Sequence, residues 1–135
     1  MGDLLENLLK AEILPLPLVG DVRGRGLFWA VEFMLDKSTR TSFPLNDDFS
    51  TRIKNAALKE GVNVLSNMGL AGEWKVDTAA ITPPFTVTGD EVVKIVQLLK
   101  KAIVKVSEPY LAAKALTNGN RTGSEVVEVN EIKVC

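Results

Sequence analysis

Apolar positions along the chain switch between helical and extended spacing, and the switches mark the elements. Leu4, Leu5, Leu8, Leu9 and Ala11 recur at helical steps and predict a short helix over residues 3–12. Pro15 and Pro17 end it and predict an extended connection, because a residue before proline is pushed out of the helical region. Val19–Arg23 reads as a short strand and Gly24-Arg25-Gly26 as a bend or tight turn. Leu27–Met34 (LFWAVEFM) is apolar on both faces except at Glu32, the pattern of a central strand covered on both sides.

A polar loop over residues 35–46 follows. Asn46 is the expected N-cap of the next helix, with Asp47 and Asp48 near its positive end and Phe49, Ile53, Ala56 and Ala57 as its apolar stripe. Gly61 supplies the stop. Val62–Leu65 reads as a short strand, Ser66–Lys75 as a glycine-containing loop, and Val76–Thr82 as another strand closed by Pro83-Pro84. Thr88 and Glu91 then form a capping box ahead of Val92, Ile95, Val96, Leu99, Ile103 and Val106 on one face of a long helix. Pro109 marks its expected end, with room for another turn over Tyr110–Ala115. From Leu116 the chain turns polar; residues 125–134 alternate weakly and read either as an edge strand or as disorder.

This order predicts an α/β fold of the α+β kind: a small, mostly antiparallel sheet with helices packed on one face. Residues 1–115 form the expected domain and residues 116–135 a polar, flexible tail. The strands are too few for a doubly wound sheet.

Composition narrows the chemistry. The 135 residues suit one domain, and 16 basic against 17 acidic residues leave no basic surplus for general nucleic-acid binding. With no His, the chain has no Ser-His-Asp or Cys-His catalysis and no His-ligated metal. Cys135 is the single cysteine, so no intrachain disulfide exists. No signal peptide or membrane span is read, which makes a cytoplasmic location the expectation. Asn120-Arg121-Thr122 then matches a glycosylation sequon by chance.

The local motifs have plain structural explanations. The Gly20–Gly26 stretch lacks both the dinucleotide and P-loop spacings and precedes a strand, so its glycines are expected at a bend. Asp47-Asp48 fits helix-dipole partners better than a metal site. Trp29 belongs in the core, Trp74 in a loop, and Pro83-Pro84-Phe85 at a rigid turn.

Three blocks carry more. V-G-D-V-R-G-R-G-L-F-W-A-V-E-F (Val19–Phe33) resembles the first strand pair in the C-terminal small domain of class III aminotransferases, pyridoxal-phosphate enzymes of fold type I. K-E-G-V-N-V (Lys59–Val64) and A-I-T-P-P-F-T-V-T-G-D-E-V (Ala80–Val92) resemble later blocks of that domain, in the family's order and at about its spacing. The resemblance covers roughly residues 3–110.

It implies amino transfer between an amine or amino acid and an oxo acid or aldehyde. It also implies that the Schiff-base lysine and the other cofactor contacts lie in a large domain upstream. This chain then resembles the pocket-closing C-terminal portion, with no catalytic or cofactor-binding residue and no metal of its own. Its implied partner is the missing large pyridoxal-phosphate-binding domain or a partner subunit, and the family's active sites lie at a dimer interface. No nucleic acid or membrane is implied. The lysines read as lying in helices, a loop and the tail, and the Leu-rich first helix is the expected exposed contact face. Many family members carry a substrate-carboxylate Arg in the strand after the K-E-G helix or three residues before the Pro-Pro. Here those positions are Leu65 and Ala80, the substrate-pocket candidates, and a frequent His is replaced by Thr78. The competing reading is a non-catalytic α/β binding or regulatory module.

Overall fold

A computed structural model of the chain describes residues 1–71 and 74–119. Helix α1 (Gly2–Leu8) continues through a π-helical turn at Leu9–Ile13. Strands β1 (Val19–Arg25) and β2 (Phe28–Phe33) follow, then α2 (Phe49–Glu60), β3 (Leu65–Ala71), β4 (Trp74–Ile81) and α3 (Gly89–Gly119). The four strands form one antiparallel sheet in the order β1-β2-β4-β3, with the helices on one face. The expected α+β architecture is what the chain adopts.

Local chemistry explains the joints that the sequence marks. The β1–β2 hairpin turns at Gly26, whose φ of 61° suits glycine. The Trp29 indole N–H donates to the Gly26 carbonyl at 2.8 Å. A Cβ at Gly24 would stand 2.2 Å from the Phe28 carbonyl oxygen, so this glycine lets β2 pass close by. Gly61 ends α2 at φ 105°, with Val62 N–H closing on the Ala57 carbonyl at 2.9 Å. The capping box forms as read: Thr88 N–H donates to Glu91 Oε2 at 2.9 Å, and Glu91 N–H donates to Thr88 Oγ1 at 3.3 Å.

Elsewhere tertiary contacts override the local reading. The segment after Ile13 is turned rather than extended, with Leu16 N–H bonded to the Ile13 carbonyl. Asn46 does not cap α2; Asp48 stands at the N-cap position without a capping side-chain bond, because Asp47 and Asp48 are both drawn to Arg52. Residues 62–64 are not a strand, and most of the expected 66–75 loop is β3, held by its ladder to β4. Pro109 does not end α3, although it cannot donate to the ladder. Beyond it, Tyr110 packs edge-on against Phe43 and Phe49, and Lys114 pairs with Asp36 at 3.2 Å. These contacts carry the helix through Leu116 to Gly119, past the compositional boundary at 116. The weak alternation at 125–134 lies outside the described residues.

The core lies between the sheet and the helices. Trp29, Val31 and Phe33 point into it from β2, Ala79 and Ile81 from β4, and Phe49, Ile53, Val92, Val96 and Leu99 from the helices. β2 is central, as read, but among the described residues the helices cover only one of its faces: Phe28 is 64% exposed, and Ala30 and Glu32 are half-buried. The first helix buries its apolar face instead of exposing it, with Leu5, Leu9 and Ile13 fully buried. Among the described residues no helix is long and apolar enough to cross a membrane.

Candidate functional site

The open face of the sheet holds both residues singled out for a substrate pocket. Antiparallel partners share a face, so the ladders define its rows. One row runs Arg23, Ala30, Ala80, Leu65 across all four strands. Leu65 and Ala80 are therefore direct cross-strand neighbours. Leu65 is 58% exposed and Ala80 half-buried. The next row is Asp21, Glu32, Thr78, Asn67, which places Thr78 beside the same patch. Phe28, exposed on this face, pairs with Arg25 at the hairpin end. The juxtaposition of Leu65 and Ala80 is not legible from spacing, because Leu65 reads there as the last residue of a different strand.

Arg23 is the one cation in the Leu65 row, and it is already committed. Its guanidinium donates to Asp21 Oδ2 at 2.9 Å and to Glu32 Oε1 at 3.2 Å. The bond to Asp21, helped by Glu32, raises its pKa against the cost of burial. Two carboxylates already use this fork, so it is not a ready clamp for a third.

The covered face carries a second polar cluster that the sequence reading missed. Lys75 and Asp77 lie in β4 and point toward the helices, at 6% and 1% exposure. The Lys75 ammonium donates to the Asp47 carbonyl and stands 3.2 Å from Asp77 Oδ2. Among the described residues the Lys75 ammonium is the cation that faces Asp77 Oδ2. Burial raises the Asp77 pKa, with Lys75 opposing. Asp77 Oδ1 faces the Ser50 N–H at 3.5 Å, so β4 reaches the first turn of α2 where no local cap does. Asp47 accepts from Arg52 at 2.7 Å and from the Tyr110 hydroxyl at 2.9 and 3.0 Å. These partners leave Asp47 and Asp48 bound to cations and a hydroxyl, and no group of three acidic or thiol ligands converges among the described residues. A signal was present in the sequence: charges at 75 and 77 alternate with Val76 in a strand.

Lys75 is a strand residue rather than a loop residue, and its ammonium is spent on Asp47 and Asp77 behind the sheet. No lysine occupies a position on the open face in the β1–β2, β2–β4 or β3–β4 ladders. A cleft of about 900 Å³ runs along α3 beside Leu8, Glu12 and Glu60, away from Leu65 and Ala80. Its flanks are zipped by Lys100–Glu12 at 2.7 Å and Lys101–Glu60 at 3.0 Å, which makes it a solvated groove.

No protein-family model matches the chain. An uncharacterized aminotransferase of Schizosaccharomyces pombe is 32% identical over 103 residues, covering 76% of this chain and 22% of that protein. The diaminobutyrate–2-oxoglutarate transaminase of Halomonas elongata is 33% identical over 107 residues, covering 79% and 22%. Among solved structures, a transaminase from the marine bacterium Virgibacillus superposes with a TM-score of 0.72 at 31% identity, covering 79% of this chain and 23% of that one. The chain spans about a fifth of the length of the curated relatives it matches.

Proposed function

This chain belongs to the class III aminotransferases as a match to one small part of them, and from that premise we propose that it forms the pocket-closing small domain of such an enzyme. In the complete enzyme an amino group passes between an amine or amino acid and an oxo acid or aldehyde. Pyridoxal phosphate supplies the electron sink of that chemistry when bound. On this reading the cofactor is held by the large domain or a partner subunit and not by this chain.

What this chain contributes is a wall. The observation that carries this reading is the side-by-side placement of Leu65 and Ala80 on the one sheet face that its own helices leave open. Neither side chain can donate a hydrogen bond, and an apolar wall penalises a bare carboxylate through desolvation. A substrate carboxylate is best held by a bidentate arginine, and Arg23 is tied to Asp21 and Glu32. The favoured donors are therefore amines or amino-ketones without an α-carboxylate, or ω-amino acids held at their far end. The non-catalytic module is not favoured, since the relatives are transaminases.

A chimera in which residues 3–110 replace the matching part of a full-length relative tests the reading. The ratio of kcat/KM for alanine to that for a matched primary amine without the carboxylate should fall below the parent's. A strong alanine preference that disappears on Arg23→Ala or Arg25→Ala would overturn it. An alanine preference that survives both changes would assign the carboxylate clamp to the large domain.

A further inference from the structure

The first half of β4 is inside out. Its covered face carries Lys75 and Asp77, while Val76 and Thr78 point to the open face. A strand normally takes its register from apolar side chains on the buried face, and on β4 that face offers Ala79 and a single large apolar residue, Ile81. No tight turn helps at the centre of the sheet, because β2 and β4 are joined only through residues 34–73. A slide of β4 along β2 by two residues, about 7 Å, would keep every side chain on its face. It would also move Thr78 opposite Ala30 in place of Ala80.

What opposes the slide is the buried polar cluster. Lys75 must meet the Asp47 carbonyl, and Asp77 must meet Ser50 N–H at the start of α2. Both partners are fixed by other bonds: Asp47 by Arg52 and Tyr110, and Ser50 by its place in the helix. A displaced β4 would leave a buried ammonium and a buried carboxylate without these partners, a large penalty. Buried ion pairs add little net stability over apolar replacements, and their best-attested use is to fix register.

We propose that Lys75 and Asp77 are positioning residues: the buried pair, with the Asp47 carbonyl and the Ser50 amide, sets the register of β4 on β2 and so places the Leu65–Ala80 pair beside Ala30. That this row walls a substrate pocket rests on the reading above; the register does not.

Disulfide trapping in a Cys135→Ser background reads the register directly in the isolated chain, with no need for transamination. Ala30→Cys/Ala80→Cys reports the native register, and Ala30→Cys/Thr78→Cys reports the two-residue slide. With Lys75 and Asp77 present, the native pair should cross-link at least about tenfold faster, since diagonal Cα atoms lie beyond the ~7 Å that a disulfide spans. Lys75→Met/Asp77→Leu should still fold, because apolar replacement of a buried pair is often neutral or stabilising. In it the two rates should come within about threefold of each other.

A purely structural role would lower the melting temperature and leave this ratio alone. A folded Met/Leu variant that keeps the tenfold preference overturns the proposal. If that variant does not fold, Lys75→Met replaces it, removing the anchor on the Asp47 carbonyl. A rise in the slid cross-link then supports the proposal and an unchanged ratio overturns it. Because the readout is geometric, its failure leaves the pocket reading standing, and a failed substrate test leaves the register standing.

Discussion

The two faces of the sheet come from the same strands but answer to different demands. The covered face meets helices across a continuous core: Trp29, Val31, Phe33 and Ile81 against Phe49, Ile53, Val92 and Leu99. The open face mixes Phe28, Ala30, Ala80 and Leu65 with Arg23, Glu32 and Thr78, and none of the described helices covers it. Strand β4 sharpens the contrast, since its charged pair is buried and its Val76 is not. The core that drives folding therefore lies on one face, and the composition of the other is not set by that core. An apolar face left uncovered is the mark of a surface that binds something.

The largest effect separating the faces is a truncation on each. Phe49→Ala removes a ring stacked on Phe43 at 4.2 Å and packed against Phe33 and Tyr110, and should cost about 3–5 kcal/mol. Phe28→Ala on the open face should cost less than about 0.5 kcal/mol. Urea titration of both variants checks this, and equal losses would erase the distinction. Asp77→Ala belongs with the covered face despite its polarity. It leaves the Lys75 ammonium buried beside a lost partner, and a loss of roughly 3 kcal/mol is expected in the same titration.

Smaller effects come from the helix ends. Thr88→Ala breaks the capping box and should cost about 1 kcal/mol, read as a lower urea midpoint. At the far end of α3, Lys114 meets Asp36, whose pKa is held at about 2 by the Ser38 hydroxyl and then by Lys114. That value lies below the ordinary 3.8, so the stabilisation is present above 3.8 and is lost as pH falls through about 2. The stability difference between wild type and Asp36→Asn should shrink over that window, as followed by circular dichroism. Asp77 has the opposite sign: burial raises its pKa, so its charging opposes folding as pH rises.

How much of this was legible depends on how local each cause is. The capping box, the Gly61 stop and the Gly26 turn involve residues a few positions apart, and the chain states them outright. Strand β3 was hidden because its polar, glycine-containing sequence is held extended by β4, a partner that spacing cannot name. The run of α3 past Pro109 depends on Phe43, Asp47 and Asp36, all far away in sequence. Leu65 and Ala80 were found through resemblance alone; their adjacency is a property of the ladder. The Lys75–Asp77 cluster breaks the rule that charges face water, so a pattern reading assigns it to the wrong side.

The central claim is that the wall formed by Leu65 and Ala80 decides whether a substrate carboxylate is welcome. The most direct measurement is Leu65→Arg in the full-length chimera, with kcat/KM determined for alanine and for the matched primary amine. Position 65 is exposed on the open face, so the new guanidinium can be solvated without disturbing the core. Charge-assisted hydrogen bonds of roughly 1.5–3 kcal/mol to a substrate carboxylate would raise the alanine-to-amine ratio by at least about tenfold. An unchanged ratio in a folded, cofactor-loaded chimera would contradict the account and show that this wall does not meet the substrate.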